Sequence, residues 1–171
     1  MSAGQSGRYT VIDGFNIAIG RAAAWLTLAM VVVSFVIVVI RYVFDSGFIW
    51  LQESLTWMHA TVFMLGAAYT MQRDEHVRVD IFYRDMSRRK QAVVDLAGVI
   101  VFVLPLCCFF AYESLPYVTA SWSINEVSRN AGGLPYPLLP LLKSMLLAMP
   151  VLVALQGLSL SVLSIRELKV R

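Results

Sequence analysis

Few side chains in this 171-residue chain have the chemistry to react. Two are histidines, His59 and His76, and two are the adjacent cysteines Cys107 and Cys108. The carboxylates that stand out are Glu53, Asp80, Asp95 and Glu126, because each lies in or beside an apolar run. A haem held by two histidines needs both at one depth, facing each other. His59 lies inside an apolar stretch and His76 lies in the polar HVRVD segment, so they do not meet that need. Cysteines adjacent in sequence rarely make a relaxed disulfide, and no spacing here matches a metal-ligand set. Both cysteines read as small apolar side chains. There is no nucleophile with a nearby base, no pair of intramembrane carboxylates and no phosphate-binding loop. The residues foresee no catalytic group and no cofactor. What remains is a set of polar groups at the ends of apolar segments.

The segments that position them are unusually apolar. The chain is 58% hydrophobic and 15% charged, with mean hydropathy +0.70, against a charged share of about 25% in ordinary soluble domains. An all-α integral membrane protein is the reading. An apolar helix needs roughly 20 residues to cross a bilayer, and four spans are expected at about 22–41, 49–72, 92–112 and 138–165. The first is longer than the about 7–15 residues of a signal peptide's core and lacks a small-x-small cleavage site. Residues 1–8 read as a disordered leader. Over 9–21, Val11, Ile12, Phe15 and Ile19 fall opposite Asp13 and Asn16, which predicts a short amphipathic helix on the membrane surface. Ile81, Phe82 and Met86 beside Arg84, Arg88 and Arg89 predict a second one, whose arginines meet anionic headgroups. Pro105 and Pro150 predict kinks in their spans. Glu113 to Pro137 reads as the longest loop, and 166–171 as a tail.

Basic residues set the orientation. Arg8 and Arg21, then Arg73, Arg78, Arg84, Arg88, Arg89 and Lys90, then Arg166, Lys169 and Arg171 fall on one side. Only Arg41, Arg129 and Lys143 fall on the other. Both termini should therefore be cytoplasmic. No basic patch interleaved with aromatics suits nucleic acid. Glu53 lies one helical turn from Trp50 and one from Trp57, and Arg41 ends the preceding span on the same side. An Arg41–Glu53 pair is expected, because a boundary carboxylate is costly unless hydrated or paired. Asp95 is expected near Arg88 or Arg89, Lys143 to snorkel to the outer surface, and Gln156 to hydrogen-bond between helices.

The run RYVF…WLQES…FMLGAAYTMQRDEHVRVD resembles the small membrane subunit of TRAP transporters, the DctQ-type permease. So does SWSINEVSRNAGGLPYPLLPLLKSMLLAMPVLVALQGL. The likeness extends over roughly Gly14 to Leu163. It implies a scaffold subunit of an inner-membrane uptake system with no enzyme activity. Its implied partners are a large membrane subunit and a periplasmic binding protein, besides membrane lipids. The solute is usually a carboxylate, and the large subunit moves it on a sodium gradient. Carried over by position, the motif residues are Arg41, Trp50, Glu53, Gly66, His76, Asp80, Glu126, Gly132, Gly133, Pro135, Lys143 and Gln156. With Trp57 and Asp95 they are candidates for structural or interface roles. The residues alone leave two other readings open: a haem- or proton-handling subunit using His59, and an autonomous four-helix exporter.

Overall fold

Proline-free from Val11 to Val43, the first apolar stretch folds as one helix, α1 (Val11–Val43). The computed structural model describes residues 11–73, 83 and 86–169. The leader, His76, Asp80, the apolar–basic stretch at Ile81, Phe82 and Arg84, and the last two residues lie outside them. At 1.5 Å per residue, the 33 residues of α1 span about 50 Å. That exceeds the about 30 Å hydrocarbon core. The expected surface helix over 9–21 is thus continuous with the first apolar segment.

Its polar face is also placed differently from the expectation. Asp13 and Asn16 are 2% and 1% exposed, while Phe15 is 55% exposed. The periodicity of α1 was legible as a two-faced helix, but the polar face turns inward, because another helix brings hydrogen-bonding groups to it.

The chain leaves α1 through Asp45, in the left-handed region at φ 48°, where Asp is among the tolerated residues. Helix α2 (Ile49–Gln72) follows. Helix α3 runs from Arg88 to Ser123 as one element. Pro105 lacks an N–H, and the turn before it is a π turn over Val99–Val103, with the Leu104 N–H donating to the Val99 carbonyl. Such a bulge reroutes the hydrogen-bond ladder at a proline. Pro116 lies inside α3, so the helix continues ten residues past Glu113, where the sequence suggests a loop. It closes on a left-handed cap: Asn125 has φ 48°, its N–H donates to the Trp122 carbonyl, and the Glu126 N–H donates to the Ser121 carbonyl. This double bond at a helix end is the Schellman arrangement. Helix α4 (Leu138–Lys169) completes the fold. Pro140 sits in its first turn, where no intrahelical N–H is required.

Among the described residues the four long helices lie in the order α1, α2, α4, α3, with α1 packed on α2, α2 on α4, and α4 on α3. The start of α1 also reaches α4. Close approaches between helices fall at two glycines. A Cβ at Gly20 would run into the Tyr69 ring, and one at Gly157 would come within 3.1 Å of Val99. The outer flanks carry large exposed apolar side chains, among them Trp25 and Phe35 on α1 and Phe102 and Phe109 on α3. Among the described residues, α1, α3 and α4 are long and apolar enough to cross a membrane. Helix α2 is not among them, since Gln52, Glu53, Ser54, Thr56, His59 and Thr61 interrupt its apolar character.

Candidate functional site: the loop clamp between the second and fourth helices

The first turn of α2 has no side-chain cap, and the free N–H groups of a helix start need partners. The 124–137 loop supplies one: the Gly132 carbonyl accepts the Trp50 N–H at 3.1 Å. Glu53, one turn along, answers in the other direction. Its Oε2 accepts the Leu134 N–H at 2.7 Å. Its Oε1 accepts the Ser128 hydroxyl at 2.6 Å and the Asn130 Nδ2 at 2.8 Å. Main chain and carboxylate thus exchange hydrogen bonds across 80 residues of sequence, as a capping box does within one helix.

The loop is shaped for this contact by its own bonds. The Ser128 N–H donates to the Leu134 carbonyl, the Gly133 N–H to the Asn130 carbonyl, and the Asn130 N–H to the Ser128 hydroxyl. Gly132 has φ 75°, a conformation that L side chains rarely adopt. Gly133 has ordinary φ but no room: a Cβ there would strike Ser128 and come within 2.7 Å of Glu53 Oε2. The two adjacent glycines are therefore needed for different reasons. Pro135 follows, and its carbonyl accepts the Leu138 N–H as α4 begins. Trp57 adds a second tie, its Nε1 donating to the Leu138 carbonyl at 2.9 Å.

The Schellman turn at the end of α3 aims Glu126 at Lys143, and the two form an ion pair. Lys143 also lies 3.9 Å above the Tyr117 ring centre. The Lys143 ammonium holds the Glu126 carboxyl below its ordinary range. Nearby, Trp122 Nε1 donates to Ser144 Oγ at 2.9 Å, and Trp122 meets Tyr136 edge to face. Lys143 was expected to snorkel outward; instead its charge is met within the protein, because the α3–α4 loop folds back over the start of α4.

The expected Arg41–Glu53 pair is corrected in the same way. Glu53 takes its donors from Ser128, Asn130 and Leu134, while Arg41 stays exposed at the end of α1. A carboxylate with three donors on it is satisfied without a counter-ion.

At the other end of the molecule the buried polar face of α1 meets α4. Gln156 Nε2 donates to Asp13 Oδ1 at 2.8 Å, Asn16 Nδ2 donates to Gln156 Oε1 at 2.8 Å, and Ser159 Oγ donates to Asp13 Oδ1 at 3.0 Å. Gln156 makes the interhelical bonds expected of it. The buried bonds of Asp13, Asn16 and Ser159 are contacts that the sequence does not foresee. The same holds for the bonds of Ser128 and Asn130 to Glu53. Their signal was present in the density of donors just before Gly132-Gly133.

The remaining candidates are scattered. Asp95 accepts the Tyr83 hydroxyl at 2.7 Å. Gly66 has open space where a Cβ would stand. His59 lies exposed on α2. His76 and Asp80 fall outside the described residues. Among the described residues no three of His, Cys, Asp and Glu cluster as metal ligands. The polar groups that do converge hold helix ends to one another.

The family described as "Tripartite ATP-independent periplasmic transporters, DctQ component" matches residues 30–167. A similar protein is the "C4-dicarboxylate TRAP transporter small permease protein DctQ" of Vibrio cholerae serotype O1. It is 26% identical over 95 residues, a stretch making up 56% of this chain and 38% of the relative. The matched stretch is thus well under half the length of that relative. No solved structure matches the chain.

Proposed function

The chain belongs to the DctQ component family of tripartite ATP-independent periplasmic (TRAP) transporters, and from that premise we propose that it is the scaffold subunit that seats the large transport subunit. A TRAP component of this family is a transporter part rather than an enzyme, in an inner-membrane, multi-pass setting. The finer reading is ours. The chain crosses the membrane four times with both termini in the cytoplasm, so that the 124–137 loop faces the periplasm. There it helps dock the solute-binding protein. The solute is a carboxylate, a class extended from the C4-dicarboxylate in the Vibrio relative's name, and the large subunit carries it on a sodium gradient. Membrane lipids cover the apolar flanks.

The observation that carries this reading is the outward face of α2. Gln52, Thr56, His59 and Phe63 are exposed along it at spacings of four, three and four, which place them on one stripe of a helix. Polar side chains at membrane depth are costly facing lipid and are normally covered by protein. Helix α2 is already flanked by α1 and α4, so its polar stripe supports a further protein neighbour. A large subunit fits that need better than a chain working alone.

The test is a photo-crosslinker at His59 in the intact transporter. The expected adduct is with the large subunit, identified by mass spectrometry, while a crosslinker at Phe35 on the α1 flank gives none. Deleting the chain should abolish solute uptake. A His59 adduct only between two copies of this chain, or uptake unchanged without it, would overturn the reading.

A further inference from the structure

We infer that the groove between the start of α3 and the end of α4 binds one anionic phospholipid. The groove has a volume of about 740 Å³, within the roughly 300–1,000 Å³ of known ligand sites. Among the described residues three guanidinium groups line it, Arg88 and Arg89 from α3 and Arg166 from α4. Among the described residues no ion pair or side-chain hydrogen bond holds any of the three. Two carboxylates also line the groove, Asp95 and Glu167. Asp95 accepts the Tyr83 hydroxyl, and Glu167 has an interaction of its own. Among the described lining residues the cations therefore outnumber the carboxylates and are the groups left to meet a ligand. Lys90 adjoins them in sequence but does not line the groove, and the first turn of α3 holds no acidic residue.

The rest of the lining selects the kind of anion. Ala92, Leu160 and Leu163 make an apolar floor beside the cationic rim, and the α3 surface next to it exposes Val93 and Val94. A free phosphate would use the rim alone. A phospholipid uses both, with its phosphodiester on the guanidinium forks and its acyl chains along the floor and the α3 flank. Basic pockets between membrane helices are known to take anionic headgroups. The inference rests on the chain being embedded in a membrane, not on its part in transport. It does not depend on which leaflet the groove faces.

The experiment is native mass spectrometry of the full chain in detergent, titrated with phosphatidylglycerol or with phosphatidylcholine. One phosphatidylglycerol should be retained, preferentially over phosphatidylcholine. Arg166→Gln should lower its retention about fivefold, the equivalent of the contribution of one basic residue to anionic-lipid binding. Lys90→Gln should leave it unchanged. Arg89→Gln serves as a second variant should Arg166→Gln fail to fold, judged by gel filtration and circular dichroism. Equal retention of both lipids, equal loss in Lys90→Gln, or displacement of the lipid by inorganic phosphate would each overturn the inference. Uptake unchanged by deletion of a lipid-retaining chain would count against the transport role and leave the site standing.

Discussion

Glu53 Oε2 and the main-chain N–H of Leu134 lie 2.7 Å apart although 81 positions separate them, and this bond joins the start of α2 to the loop that leads into α4. Glu53→Gln keeps the shape but turns an amide NH₂ toward groups that already donate. Melting temperature in detergent should fall by several degrees and uptake should weaken, while the order of preference among solutes stays the same. Arg41→Gln, which removes no partner of Glu53, should leave the melting temperature unchanged. An altered solute preference in Glu53→Gln would contradict a purely structural clamp.

The two loop glycines should fail differently. Gly132→Ala meets the left-handed backbone and costs about 1–2 kcal/mol; Gly132→Asn should be milder, because Asn tolerates that region. Gly133→Ala meets Ser128 and Glu53 instead, an overpacking cost of about 1–3 kcal/mol, and Gly133→Asn should be worse still. Chemical or thermal unfolding of the four variants measures the contrast. Equal responses to Asn at both positions would show the assignment to be wrong.

Acid should release the loop through Glu126. Its carboxyl sits below the ordinary range because the Lys143 ammonium bonds to it. The unfolded chain therefore binds this proton more readily than the folded one, and the pair's contribution is complete above the ordinary carboxylate value of about 4.3. It is lost as pH falls through the lower folded value. Wild type should be more stable than Glu126→Gln near neutrality, and the gap should close below about pH 4. A gap that persists or widens in acid would exclude the pair as its source.

Gln156→Leu strips partners from Asp13 and Asn16 inside the α1–α4 contact. Leaving buried polar groups without partners costs about 1–3 kcal/mol. Gln52→Leu, on the exposed stripe of α2, should change the stability of the isolated chain by less than about 0.5 kcal/mol. Parallel unfolding of both variants separates a buried bond from an exposed one.

These residues also show what was legible in the sequence. Gln156 was readable because an amide within an apolar helix must find a partner on another helix. The helical stretches were readable from their apolar runs, and the spacing of Asp13 and Asn16 put the two on one face of α1. Which way that polar face turns was not readable, since periodicity defines a face without saying what lies opposite. Sequence proximity offers Glu53 only Arg41 as a partner. The true donors, Ser128 and Asn130, arrive only when the 124–137 loop folds back over α2. Lys143 was sent outward for the same reason, its partner Glu126 being presented by a helix cap whose geometry lies in backbone angles. The α3 boundary ran past Glu113 because Pro116 is tolerated inside the helix, where sequence favours a break.

The spatial order α1, α2, α4, α3 differs from the order in which a ribosome makes the helices. When α2 emerges, its α1 flank exists, but its α4 flank and the loop that caps its first turn are still unmade. Helix α2 thus has part of its protein surroundings supplied last. The bonds that cap its first turn therefore form only once the chain has been made through Leu134, however early the helix itself takes shape.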